Sequence, residues 1–121
     1  MPDKYDAIII GSGQSGPSLA ARLANEGMQV AIAERGLFGG TCVNTGCIPT
    51  KTLVASARAA FDARRAADYG VMINGEITVN MKKVKARMDT IRGASNKGVE
   101  RWLKSMENCT VHEGHARFEG P

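Results

Sequence analysis

Cys42 and Cys47, with four residues between them, stand in the stretch Gly39-Gly40-Thr41-Cys42-Val43-Asn44-Thr45-Gly46-Cys47-Ile48-Pro49-Thr50-Lys51. Two neighbouring thiols can release a pair of electrons by closing to a disulfide and take it back on opening, provided the backbone lets them meet. A regular helix, rising about 1.5 Å and turning about 100° per residue, would put their Cα atoms about 8.6 Å apart. A disulfide spans at most about 7 Å. If the two are to bridge, Asn44-Thr45-Gly46 must be irregular. Gly46 supplies the backbone freedom for that, and Pro49 suits the first turn of a helix starting behind Cys47. The stretch reads as built for a disulfide that opens and closes.

A second constellation points to a nucleotide. Gly11-Ser12-Gly13-Gln14-Ser15-Gly16 follows the β-branched run Tyr5-Asp6-Ala7-Ile8-Ile9-Ile10 and precedes a segment whose Leu19, Ala20, Leu23 and Ala24 form an apolar helical stripe. In this setting Gly11 permits a tight turn, Gly13 lets the backbone approach a pyrophosphate, and Gly16 lets the helix pack close to the strand. The helix start offers unpaired N–H groups and partial positive charge to a diphosphate. Glu34, at the end of the next strand, would accept hydrogen bonds from an adenosine ribose. A turn alone needs one or two glycines, not three at this spacing followed by that acid. The fingerprint does not separate NAD from FAD, because both present an ADP moiety.

The elements that must position these groups follow from periodicity. Residues 5–10 suit a strand buried on both faces, Gly27 stops the helix, and Gln29 to Glu34 form a second strand. Together they make a βαβ unit with a parallel pair and a right-handed crossover. Residues 50–68 should be helical, ending before Tyr69-Gly70. Asn74-Gly75 is a turn signal, and Glu76 to Val79 are extended or loop-like. Asn80 caps a long basic helix weakened by Gly93 and Gly98. Cys109 to His112 resume a strand, the start of another is expected over Ala116 to Glu119, and the sequence closes on the turn signal Gly120-Pro121. The expectation is an α/β, Rossmann-like domain with a parallel sheet of about three strands flanked by helices.

The chain has 121 residues, 43% of them hydrophobic, enough for one domain or part of one. Met1-Pro2-Asp3-Lys4-Tyr5-Asp6 is polar, and Ala7 to Ile10 are too short for a signal-peptide core or a membrane span, so the sequence reads as cytoplasmic with no membrane partner. In a reducing cytosol a cysteine pair is more often catalytic or metal-binding than structural. Zinc would need more ligands; Cys109, His112 and His115 have no standard spacing and sit in a strand pattern, so no metal site is assigned. The formal charge of +4 invites nucleic acid, with Lys82, Lys83, Lys85, Arg87, Arg92, Lys97, Arg101 and Lys104 in one segment. There, however, Met81, Val84, Met88, Ile91, Val99, Trp102 and Met106 recur at helical spacing, leaving the cations a solvated face without stacking aromatics. No nucleic-acid partner is expected. Trp102 is read as core, and Cys109 as a small apolar residue on a buried strand.

The whole cysteine stretch, Gly39 to Pro49, resembles the active-site signature of the pyridine nucleotide-disulfide oxidoreductases, the group of glutathione reductase, dihydrolipoamide dehydrogenase and mercuric reductase. The likeness continues to Gly114-His115-Ala116-Arg117-Phe118 and so covers essentially the entire chain. The Ile48-Pro49-Thr50-Lys51 ending leans towards the dihydrolipoamide dehydrogenase and mercuric reductase branches. The resemblance implies FAD as cofactor. Gly11, Ser12, Gly13 and Gly16 would form the pyrophosphate loop, and Glu34 would hold the ribose with Arg35 and Gly36 beside it. Gly40 and Thr41 would lie along the flavin's phosphate and ribityl chain, Lys51 near the ring, and Ala116 against the adenine. It also implies that Cys42 is the interchange thiol that attacks substrate and Cys47 the thiol that faces the flavin and forms a charge-transfer complex. A helix start near Pro49, with Lys51 close by, would lower a thiol pKa there. Electrons would then run from NAD(P)H to flavin, to the Cys42–Cys47 disulfide, and on to a small-molecule disulfide, or in reverse.

Members of that group are several times longer. The resemblance therefore implies that residues 1–121 are the N-terminal part of an FAD-binding domain, with the nicotinamide and dimer-interface domains outside this chain. The full-length protein would be a homodimer and the isolated chain inactive. His112 and His115 match no catalytic histidine of the family and are read as structural or surface residues. The competing readings are a stand-alone dinucleotide-binding or thiol-redox module, and an inactive truncated product. Three parallel strands would leave a bare edge and an unfinished core, so marginal stability and weak FAD retention are expected.

Overall fold

A computed structural model describes residues 4–120; Met1-Pro2-Asp3 of the polar N-terminus and the proline of the closing Gly120-Pro121 lie outside the described residues. The elements run β1 (Ala7–Ile10), α1 (Gly16–Asn25), β2 (Val30–Glu34), α2 (Gly40–Asn44), α3 (Cys47–Arg64), a 3-10 turn (Ala66–Tyr69), α4 (Met81–Lys104) and β3 (Cys109–Glu113). The strands form one three-stranded sheet in the order β1-β2-β3. Both pairings are parallel, with Ile9 opposite Ile32 and Ile32 opposite Val111. This is the expected Rossmann-like arrangement, with β2 central and β1 and β3 at the edges.

Local chemistry sets the boundaries. Gly27 takes a left-handed φ of 84° directly after α1, the conformation glycine adopts without steric cost. Asn80 caps α4, its side chain accepting a hydrogen bond from the Lys83 amide at 3.1 Å. Despite Gly93 and Gly98, α4 runs unbroken for 24 residues, because packing outweighs the propensity cost. The expected helix over 50–68 begins earlier, at Cys47, and its last turn tightens to 3-10 form before Gly70. Ala116 to Glu119 form no strand; Ala116 instead lines a cavity at the sheet's end.

The core lies on one face of the sheet. Ala20 and Ala24 from α1, Val30 and Ile32 from β2, Phe38, and Leu103 from α4 form it, with Ile9, Val111 and Val99 packed around them. α1 sits close to the sheet because Gly16 lacks a Cβ, which would fall on the Gly11 carbonyl oxygen. The opposite face carries no layer among the described residues. There Ile8 and Ile10 are 67% and 52% exposed, so β1 is buried on one face only, not two. Trp102 is likewise not core: it is 45% exposed while Leu103 is fully buried. The buried stripe of α4 runs through Asn96, Val99 and Leu103, and residue 102 is turned one position away from it. No helix among the described residues is long and apolar enough to cross a membrane.

Leu103 sits where all the core elements meet. Leu103→Ala is expected to lower the unfolding free energy by about 3 kcal/mol, and Trp102→Ala by less than half as much, measured by urea denaturation followed by circular dichroism.

Candidate active site

Cys42 and Cys47 are joined in a disulfide with Cα atoms 4.6 Å apart, within the ordinary range for such bonds. The chain achieves this by breaking the helix between them. α2 ends at Asn44, and Thr45 and Gly46 leave helical geometry. A Cβ at Gly46 would lie 3.0 Å from the Thr41 carbonyl oxygen, so any larger residue would crowd the fold-back of α3 on α2. α3 starts at Cys47, and its first bond runs from the Thr50 amide to the Gly46 carbonyl at 3.0 Å. Pro49 falls in the first turn, where its missing N–H costs nothing. Cys47 therefore stands at the positive end of an 18-residue helix with no acidic residue in its first turn, a setting that favours a thiolate once the bond opens. Lys51 is one turn further on and exposed; Cys47 is exposed and Cys42 half-buried.

The glycine loop lies directly against this unit. Gly40 has a left-handed φ of 63°, and a Cβ there would come 2.8 Å from Gly13 Cα. The Gly39 amide donates to the Ser12 carbonyl at 3.0 Å and to the Ser12 hydroxyl at 3.2 Å. Ser12, fully buried, passes the connection on: its hydroxyl and its amide both donate to Glu34 Oε2, at 2.6 and 3.0 Å. Glu34 Oε1 accepts from the Gly36 amide at 2.8 Å. Partial burial pushes the Glu34 carboxyl up, but the bonds from Ser12, Gly36 and Arg35 outweigh it and hold the group below its ordinary value. No side chain caps the start of α1, so its first amides are available to an anion.

At the C-terminal ends of the parallel strands is a cavity of about 260 Å³, lined by Gly11, Glu34, Arg35, His115 and Ala116 among others, where doubly wound sheets place their ligands. The structure thus gathers the predicted residues into one track. Gly11, Glu34, Arg35 and Ala116 share the cavity, with Gly36 tied to Glu34. Ser12, Gly13, Gly40 and Thr41 lead from it to the disulfide, and Gly16 packs beneath the loop. Lys51 does not line the cavity and shares only the helix of Cys47. Sequence reasoning missed His115 as a lining residue, and it missed an amide pair, the buried Asn44 and the half-buried Asn96. Asn96 Nδ2 donates to the Phe38 carbonyl at 2.8 Å and to Asn44 Oδ1 at 3.1 Å. The available signal was its phase: Asn96 lies three and seven residues before Val99 and Leu103, a polar residue on the buried stripe.

Among the described residues, no group of three or more His, Cys, Asp or Glu side chains could hold a metal. His112 pairs with the Tyr5 hydroxyl at 3.1 Å. The Cys109 thiol, at the start of β3, is pushed up by burial. Several cations of α4 are matched locally, Lys85 and Arg92 to Asp89, and Lys104 to Glu100 and Glu113.

The profile of the family described as "Pyridine nucleotide-disulphide oxidoreductase" matches residues 5–115. The chain is 40% identical over all its 121 residues to a dihydrolipoyl dehydrogenase of Rhizobium etli, and 36% identical over 121 residues to that of Bacillus subtilis, covering 25% of each. Among solved structures, it superposes on the Cu(II) complex of the HOCl-induced flavoprotein disulfide reductase RclA from Escherichia coli with a TM-score of 0.78 and 33% identity, over 97% of this chain and 23% of that one. The chain thus spans about a quarter of the length of these relatives.

The bonds that keep Glu34 ionised exist only in the folded chain. A lowered folded pKa adds stability above the unfolded value, and that increment disappears as pH falls through the folded value. Glu34→Gln is therefore expected to be less stable than the parent at neutral pH, with the gap closing below the ordinary glutamate range, as read from urea midpoints across an acid series.

Proposed function

We propose, since this chain belongs to the pyridine nucleotide-disulphide oxidoreductase family, that residues 1–121 form the N-terminal part of the FAD-binding domain of a longer, homodimeric enzyme. That enzyme would move electrons between NAD(P)H and a small-molecule disulfide or dithiol through Cys42 and Cys47. The observation that carries this reading is the Cys42–Cys47 disulfide, set at a break between two helices and joined to a nucleotide-type glycine loop by the Gly13–Gly40 contact. The relatives from Rhizobium etli and Bacillus subtilis are dihydrolipoyl dehydrogenases, which favours a dihydrolipoyl-type dithiol as substrate class. In a reducing compartment such as the cytoplasm, a disulfide of this kind is catalytic and not a staple.

The residues present fit an FAD. Built Cβ atoms at Gly11 and Gly13 meet nothing within 4 Å, so the loop's open side can receive a diphosphate beneath the uncapped start of α1. Gly11, Ser12, Gly13 and Gly16 would hold the diphosphate. Glu34, flanked by Arg35 and Gly36, would hold the adenosine ribose, for its Oε1 keeps an accepting lone pair. Ala116 would meet the adenine, Gly40 and Thr41 the second phosphate and ribityl chain, and Lys51 the ring. When bound, the flavin supplies the two-electron link between the nicotinamide and the disulfide.

The thiol steps belong to this chain's own residues. In the reduced pair, the Cys42 thiolate attacks one sulfur of a substrate disulfide and displaces the other as a thiolate. Cys47 then attacks the Cys42 sulfur, releasing the second substrate thiol and restoring the intramolecular bond. Two electrons and two protons pass to the substrate. The α3 start stabilises the Cys47 thiolate that completes the exchange. The exposure of Cys47 is the opening the flavin would cover, leaving Cys42 to the substrate side.

Against a dithiothreitol redox buffer, the 121-residue chain is expected to show one reversible two-electron transition. Cys42→Ser or Cys47→Ser should abolish it, and Cys109→Ser should leave it intact. FAD should bind weakly, and Gly40→Val, which forces the loops apart, should eliminate binding. The chain alone should not oxidise NADH or NADPH. An irreversible or absent thiol transition would overturn the redox assignment; turnover by the isolated chain, or a stop codon directly after Pro121 in the native gene, would overturn its assignment as part of a larger enzyme.

A further inference from the structure

We propose that Asn96 is a positioning residue for the thiol pair: from the middle of α4, its amide pins the short helix that carries Cys42 and so sets how readily the two thiols close on each other. The inference rests on the redox reading above. α2 has five residues, too few to hold its place by its own hydrogen bonds. Besides the Gly39–Ser12 bonds at its start, it is anchored by two interlocked amides. Asn96 Nδ2 donates to the Phe38 carbonyl and to Asn44 Oδ1, at 2.8 and 3.1 Å. Asn44 Nδ2 donates to the same Phe38 carbonyl and to the Gly40 carbonyl, both at 2.9 Å. The four bonds fix the approach to α2 at Phe38, its first residue Gly40 and its last residue Asn44, with Cys42 between. Cys47 sits instead on the long α3, which α4 holds separately through Arg87 and the Thr52 carbonyl at 3.3 Å. Closure of the disulfide therefore depends on where α2 lies relative to α3, and Asn96 governs the α2 side.

Both bonds from Asn96 are donated, and both acceptors are oxygens. A carboxylate of the same size would face them with no proton to offer, and an apolar side chain would leave Asn44 Oδ1 without its donor in a half-buried setting and the Phe38 carbonyl with only its bond from Asn44. Either change frees α2 and lowers the effective concentration of each thiol for the other. The equilibrium concerned is balanced: the two cysteine thiols give two electrons and two protons to oxidised dithiothreitol, forming the Cys42–Cys47 bond and the reduced reagent.

In the 121-residue chain, Asn96→Asp is expected to lower the equilibrium constant for disulfide formation about tenfold, which is about 30 mV for this two-electron couple. Asn96→Leu should act in the same direction, and combined with Asn44→Ala it should shift the constant by less than the sum of the two single effects. Asn108→Ala removes different amide bonds, one donated to the Ala24 carbonyl at 3.2 Å and one accepted from Gln29 Nε2 at 3.2 Å. It weakens both redox forms alike and should leave the constant unchanged, a separation that a purely structural role for Asn96 would not produce. If Asn96→Asp does not fold by circular dichroism, Asn96→Leu decides by the same criterion. Constants within twofold of the parent in the folded Asn96 variants, or an equal shift in Asn108→Ala, would overturn the proposal. Failure of the parent to interconvert at all would instead overturn the redox reading on which it stands.

Discussion

The structure hinges on two backbones touching where neither has a side chain. Gly13 belongs to the loop after β1 and Gly40 to the first residue of α2, and a single methyl at Gly40 would come 2.8 Å from Gly13 Cα. This contact puts the glycine loop and the Cys42–Cys47 disulfide within one continuous surface. Around it the polar groups are matched outward in sequence, from the Gly39 amide to Ser12, from Ser12 to Glu34, and from Glu34 to Gly36. Ser12 and Gly39 are buried and Glu34 half-buried, so these matched bonds favour one loop arrangement, since the buried members left alone would carry a desolvation cost.

α4 is the element that makes the arrangement rigid. Its C-terminal part supplies Leu103 to the core, its middle supplies Asn96 to the loop before α2, and its N-terminal half reaches α3 through Arg87. The exposed ion pairs along it contribute little each, under about 1 kcal/mol. Its hold on the molecule comes from burial and from the two amides. The helix thus links the packing of the sheet to the placement of the cysteines, although it contributes no residue to the cavity at the strand ends.

Much of this was legible in the residues, and the exceptions have physical causes. The β-branched run before Gly11, the glycine spacing, and Gly46 with Pro49 around Cys47 are local signals, and each produces the expected local structure. The burial of β1 was misjudged because a run of isoleucines reads the same whether one face or both are covered. Trp102 was misplaced because its phase differs from that of Leu103 by one residue, a shift that the mixed apolar pattern of α4 does not resolve. Ala116 to Glu119 have no strand partner among the described residues, and Ala116 lines the cavity instead. Asn96 escaped notice because its partners are 52 and 58 residues away, and no local pattern announces a tertiary hydrogen bond.

The uncovered sheet face has a thermodynamic signature of its own. Apolar side chains already largely in water, such as Ile8 and Ile10, add less to the hydration change when the chain unfolds than buried ones do, and the heat capacity of unfolding scales with newly wetted apolar area. A domain built on a one-sided core should accordingly melt over a broad interval, with a shallow calorimetric peak and a weakly curved stability profile, and its denaturant sensitivity should be low for its length.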